Sequence, residues 1–81
     1  MKHNLKIKNK YYDAIRNGTK TFEIRKNDRN YQVGDRIKFT PIADEANIII
    51  PHNPNEYIIT YVFNGGEYGL DEEYCVFGIR E

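Results

Sequence analysis

The 81-residue sequence predicts a small α+β domain that is mostly strand: five or six short strands curled into a barrel-like sheet, with one short helix after the first strand. Apolar residues alternate with polar ones in short runs, the period of half-buried strands. Gly, Asn and Pro punctuate those runs at spacings that suit meander connections and a small barrel or curled sheet. Only one stretch, directly after the first run, carries helical spacing. A chain of this length buries about 60–65% of its unfolded surface, enough for one compact core, so residues 1–81 form a single domain.

In chain order, "HNLKIK" (3–8) alternates with Leu5 and Ile7 on one side and reads as the first strand. Asn9 is a suitable helix N-cap, and Tyr11 and Ile15 then recur at i,i+4 with Ala14 beside them, predicting about two helical turns. Gly18 ends that helix, because a residue without a Cβ adopts the left-handed exit conformation without strain, and Asn17 is a common partner in such exits. Thr21 to Arg25 is the second strand, with Phe22 and Ile24 expected to face the core and Thr21, Glu23 and Arg25 the other side. "KNDRNYQVGD" is a polar connection whose Gly34-Asp35 turns the chain into a third strand, "RIKFT", carried by Ile37 and Phe39. Residues 41–55 read as a long connection interrupted by Pro41, Pro51 and Pro54, with Ile48-Ile49-Ile50 as a short buried or edge strand. "EYIITYVF" (56–63) is the strongest strand signal, ended by Asn64-Gly65-Gly66, and "YCVFGIR" supplies the last strand from Tyr74 to about Arg80.

Twelve basic and twelve acidic side chains cancel, which argues against a general polyanion binder. Their distribution is uneven: residues 1–30 hold nine basic and three acidic residues, a local +6 that the remainder of the chain offsets. No apolar run approaches the roughly 20 residues that span a bilayer, and the start lacks the pattern of a signal peptide, so a soluble, cytoplasmic protein without membrane attachment is expected. Cys75 is the single cysteine and sits among Tyr74, Val76 and Phe77, which predicts a buried small residue rather than a disulfide or a multi-cysteine zinc site.

Elimination narrows the chemistry. The chain has no serine, Cys75 lacks the surroundings of an activated thiol, and His3 and His52 have no metal-ligand spacing and read as surface histidines, so neither a metal nor a cofactor is expected. The charged second strand remains. Glu23 and Arg25 on one face are either a surface ion pair that solubilises the sheet or, in a cleft, a recognition pair. There Arg25 would offer a planar donor fork to phosphate or a base edge, and Glu23 would accept from amino groups. Lys20 is three residues from Glu23 and so of opposite parity, and joins them only through an irregular strand entry, which Gly18 permits. Tyr11, Tyr12, Tyr31, Tyr68 and Tyr74 are candidates to stack on bases, Tyr68 foremost because it lies in a glycine-flanked loop.

Gly18, Lys20, Glu23 and Arg25 in "GTKTFEIR" fit G-x-K-x-x-E-x-R, and on this motif and its flanking segments nearly the whole chain resembles the ASCH domain family of the PUA-like superfamily, in particular small bacterial and phage members. The resemblance implies a PUA-like pseudobarrel with the helix at one side. It also implies a cleft beside that helix lined by Lys20, Glu23 and Arg25, and binding of RNA or a nucleotide. Some relatives remove the acetyl group from N4-acetylcytidine with a lysine and a threonine of this signature and a later glutamate. Lys20 holds the lysine position here, but Glu23 stands where those enzymes have threonine. Three functions therefore compete. The first is an RNA- or nucleotide-binding module using Lys20, Glu23, Arg25 and Tyr68. The second is a small hydrolase of a modified nucleoside with Lys20 and Glu23 catalytic, and the third is a protein-interaction module using loop 41–55 and Asp71-Glu72-Glu73.

Overall fold

Alternation along Lys2–Lys8 places His3, Leu5 and Ile7 inward and the lysines outward, which makes this segment the first strand, β1. In the computed structural model, which describes residues 1–81, β1 is followed by helix α1 (Asn9–Arg16) and by strands β2 (Phe22–Lys26), β3 (Arg36–Ile42), β4 (Glu56–Asn64) and β5 (Tyr74–Arg80). The strands form one curled sheet in the order β1-β3-β4-β5-β2, parallel between β1 and β3 and antiparallel elsewhere. The expected architecture of five strands and one helix after the first strand is present. The core lies inside the curl, where Phe39, Phe77, Ile37, Ile59 and Cys75 are fully buried, and burial pushes the Cys75 thiol up from its ordinary pKa. No helix is long and apolar enough to cross a membrane.

Helix α1 begins directly at the end of β1, so its phase is fixed by the strand rather than by a capping side chain. Lys8, in extended conformation, is the N-cap and makes no side-chain cap bond, whereas Asn9 lies within the first turn. As a result Tyr12 and Ile15, not Tyr11 and Ile15, face the core. The Tyr12 ring meets Phe39 edge-on with centroids 6.4 Å apart, and its hydroxyl donates to the Asn53 carbonyl at 3.2 Å. The helix ends as the glycine predicts. Gly18 has φ +85°, its N–H donates to the Ile15 carbonyl, and Thr19 N–H donates to Ala14, the paired bonds of a Schellman exit.

Strand β2 has the opposite parity from the one expected. Glu23 is only 4% exposed, while Phe22 and Ile24 are 41% and 53% exposed. The register with β5 is the reason: Glu23 lies opposite Phe77 and Arg25 opposite Cys75, and residues directly opposite share a face, which here is the interior. Phe22, Ile24, Val76, Tyr61 and Phe63 share the outer face. A bulge in β4 between Ile59 and Tyr61 returns Val62 to the core side after Thr60. Gly78 faces that bulge, where a Cβ would come within 2.8 Å of the Thr60 hydroxyl.

Three further expectations are corrected. Ile48 and Ile49 are exposed and form no strand beyond a single bridge between Ile42 and Ile49. Pro41 lies within β3 rather than interrupting it, since its carbonyl accepts from Ile50 N–H on the side away from β1, and its missing donor falls on that same side. His3 is buried, not superficial: its Nε2 lies 2.8 Å from Asp35 Oδ2 and its ring packs on Tyr31 at 4.8 Å. Asp35 also accepts from Gln32 N–H at 3.1 Å, so one carboxylate ties β1 to the turn that starts β3.

Burial pushes the Asp35 carboxyl up, but hydrogen bonds from His3, Gln32 N–H and the chain's terminal amine outweigh it and hold the group below its ordinary range. A depressed folded pKa means that the stabilisation is fully present above the unfolded value of about 3.9 and is lost as pH falls through the folded one. Urea denaturation across pH 2–6 is expected to show wild-type stability falling on the acid side below about pH 4. Asp35→Asn is expected to be less stable at neutral pH and flatter over that acid limb.

Candidate functional site

Strands β1 and β2 are the two ends of the sheet order and share no ladder. The curl brings them side by side, and the gap between them opens into a cleft of about 670 Å³. Its walls are Lys6, Ile7 and Lys8 from β1, Tyr11 from α1, Lys20 and residues 22–26 from the entry and body of β2, and Tyr74 from β5. The size falls within the range of small-molecule sites.

Within the cleft Lys20, Glu23 and Arg25 converge. The Lys20 ammonium donates to Glu23 Oε1 and, at 2.8 Å, to the Phe22 carbonyl. Arg25 Nε donates to Glu23 Oε2 at 2.8 Å, and its Nη2 reaches across the gap to the Lys6 carbonyl at 2.8 Å. The Schellman exit makes this possible. Thr19 and Lys20 N–H both donate to Ala14, so Lys20 is held on the helix end before the strand period begins, and parity does not exclude it from Glu23. The inverted parity of β2 does the rest, because it carries Glu23 and Arg25 inward. Lys20 also stands over the Tyr11 and Phe22 rings, at 5.4 and 5.1 Å from their centroids.

The carboxylate is saturated by its two cations, yet the cleft is strongly positive: Lys6, Lys8, Lys20, Arg25 and Lys26 face one acid, Glu23, a local charge of +4. Three rings, Tyr11, Phe22 and Tyr74, stand at its margin, each about two-fifths exposed. Tyr68 is not part of it. That side chain is 94% exposed and packs on Phe63 of β4's outer face, with centroids 6.1 Å apart. Tyr12 and Tyr31 belong to the core. Tyr11 and Tyr74, two of the tyrosines proposed from the sequence as stacking rings, do stand at the cleft. Lys6 and Lys8 were not singled out as ligand contacts, although the outward lysines of "HNLKIK", set against inward Leu5 and Ile7, were the available signal.

A family model described as a domain of unknown function, DUF3850, matches residues 2–79. The chain belongs to the DUF3850 family. No curated protein matches it. The matched span takes in every element of the DUF3850 chain but the last residue of β5, and both edges of the cleft. The arrangement of side chains carries its chemistry: two cations held by one carboxylate, surrounded by aromatic rings and by Lys6, Lys8 and Lys26, of which Lys26 lies 4.0 Å from Glu73. No three His, Cys, Asp or Glu side chains converge where they could hold a metal ion.

Glu23→Gln keeps the shape but leaves two partly buried cations without their counter-charge, and is expected to cost about 3 kcal/mol in chemical denaturation. Arg25→Lys keeps the charge but not the fork that bonds Glu23 and Lys6 together, and is expected to cost about 1 kcal/mol in the same assay.

Proposed function

We propose that this protein is a cytoplasmic RNA- or nucleotide-binding module whose ligand sits in the cleft between β1 and β2. The observation that carries the reading is a pocket of charge +4, rimmed by three aromatic rings, on a chain whose net charge is zero. A general polyanion binder carries a net positive charge; here the chain is neutral and five cations line one small hollow with a single acid, which suits a single nucleotide or a short single strand. Lysines 6, 8 and 26 supply charge for phosphate, and Tyr11, Phe22 and Tyr74 supply faces on which a base can stack. The resemblance of Gly18, Lys20, Glu23 and Arg25 to the ASCH signature supports the same ligand class.

Binding fits this arrangement better than hydrolysis. Both oxygens of Glu23 are engaged, and the Lys20 ammonium is taken up by Glu23 and the Phe22 carbonyl, so neither group stands ready to take a proton from water. The pair instead shapes the cleft wall.

Titration with short single-stranded RNA is expected to give binding whose logarithm falls linearly with the logarithm of salt concentration. Lys8→Ala should reduce that slope by about 0.7. Tyr11→Ala should weaken affinity by about tenfold, the worth of one stacked base. Absence of any affinity in the folded wild-type protein at about 50 mM salt would overturn the reading.

A further inference from the structure

Arg25 does not close the gap between β1 and β2; it divides it. On the far side of its guanidinium lies a second hollow of about 410 Å³, which shares Lys6, Arg25 and Lys26 with the first and adds Asp28, Arg29 and Tyr31. Its character differs. The first hollow is rimmed by rings, whereas this one presents four cations and one carboxylate, a local charge of +3, beside the buried Tyr31. Arg29 is exposed and takes part in no ion pair, so its whole donor fork is available. Arg25 and Arg29 both line this hollow beside Tyr31, and their charges oppose the dominant effect of burial, which raises the Tyr31 pKa.

We propose that the second hollow is a phosphate subsite and that the two hollows form one composite site, with a base in the aromatic cleft and the attached phosphate beyond Arg25, under Arg29 and Lys26. This rests on the nucleotide-binding reading above and adds the place of the phosphate to it. The adjoining order follows from chemistry. Stacking needs accessible rings, which the first hollow offers in Tyr11, Phe22 and Tyr74, whereas Tyr31 of the second is only 3% exposed; a phosphate needs several donors, which the second provides. Lys6, Arg25 and Lys26, common to both, lie where the sugar joins the two groups. Asp28 is the single acid of this hollow and offers an acceptor to a ribose hydroxyl.

The test compares the four ribonucleosides with their 5′- and 3′-monophosphates by calorimetric titration on wild-type protein, Arg29→Ala and Lys38→Ala. Lys38 lies on β3 and lines neither hollow, and its loss controls for overall charge. One of the two phosphate positions is expected to raise wild-type affinity by at least about tenfold over the nucleoside, as charge-assisted hydrogen bonds do. Arg29→Ala should remove most of that gain while leaving nucleoside affinity unchanged, and Lys38→Ala should retain it. Nucleoside binding without a phosphate gain, or a gain that survives Arg29→Ala, would overturn the composite site and leave the cleft reading standing. No binding of any nucleoside or nucleotide would overturn both.

Discussion

The inward carboxylate of Glu23 is the constraint around which this small fold is arranged. A charge at 4% exposure is costly unless both oxygens are engaged, and the chain meets that requirement with Lys20 on one oxygen and Arg25 on the other. Each partner is supplied by a different device. Lys20 is delivered by a helix that stops at Gly18 and hands over two N–H groups to Ala14, and Arg25 is delivered by strand period from Glu23 itself. Arg25 also donates from Nη2 to the Lys6 carbonyl, so neutralising the buried acid and joining the two ends of the sheet are one network.

Much of the fold was legible because its signals are local. "HNLKIK" buries Leu5 and Ile7, and "YCVFGIR" buries Cys75, Phe77 and Ile79, at every second position in each case. Gly18 marks the helix end because only the left-handed conformation continues the chain there. The parity of β2 was not legible, and the reason is physical. Phe22 and Ile24 have the composition of core residues, but facing is decided by register with β5, more than fifty residues away, and β5 presents Cys75 and Phe77 to the interior. His3 was misread for a similar reason. Its partner Asp35 is 32 positions along, and a lone histidine carries no sign of a distant carboxylate. Lys20, Glu23 and Arg25 were named together from the sequence, whereas Tyr68, chosen for its glycine-flanked loop, lies on the outer face of β4. Loop exposure identifies an available ring without saying which surface it serves.

The outer face of β2, β5 and β4 is itself unusual. Phe22, Ile24, Val76, Tyr61 and Phe63 lie in adjoining rows of the sheet, and Tyr68 covers part of Phe63. The outer faces of β1 and β3 carry Lys2, Lys6, Lys8, Arg36 and Lys38 instead. Glu56 at the start of β4 sits among these cations; its hydrogen bond from Lys2, with the fields of Lys2, Arg36 and Lys38, holds its carboxyl below the ordinary range. The curled sheet thus presents two chemically different halves, and the Lys20–Glu23–Arg25 network lies on the seam where they meet. Stacking surface and positive charge converge in the cleft because both halves end there.

A barrel closed by a continuous ladder can open only by separating strands, which sacrifices several backbone hydrogen bonds together. Here the two end strands are joined by a side chain, and a guanidinium swings by rotating about its own bonds. Widening the seam therefore leaves every sheet ladder intact. The clasp between the two edges is thus a side chain rather than a ladder, and parting the edges costs the bond from Arg25 to the Lys6 carbonyl alone.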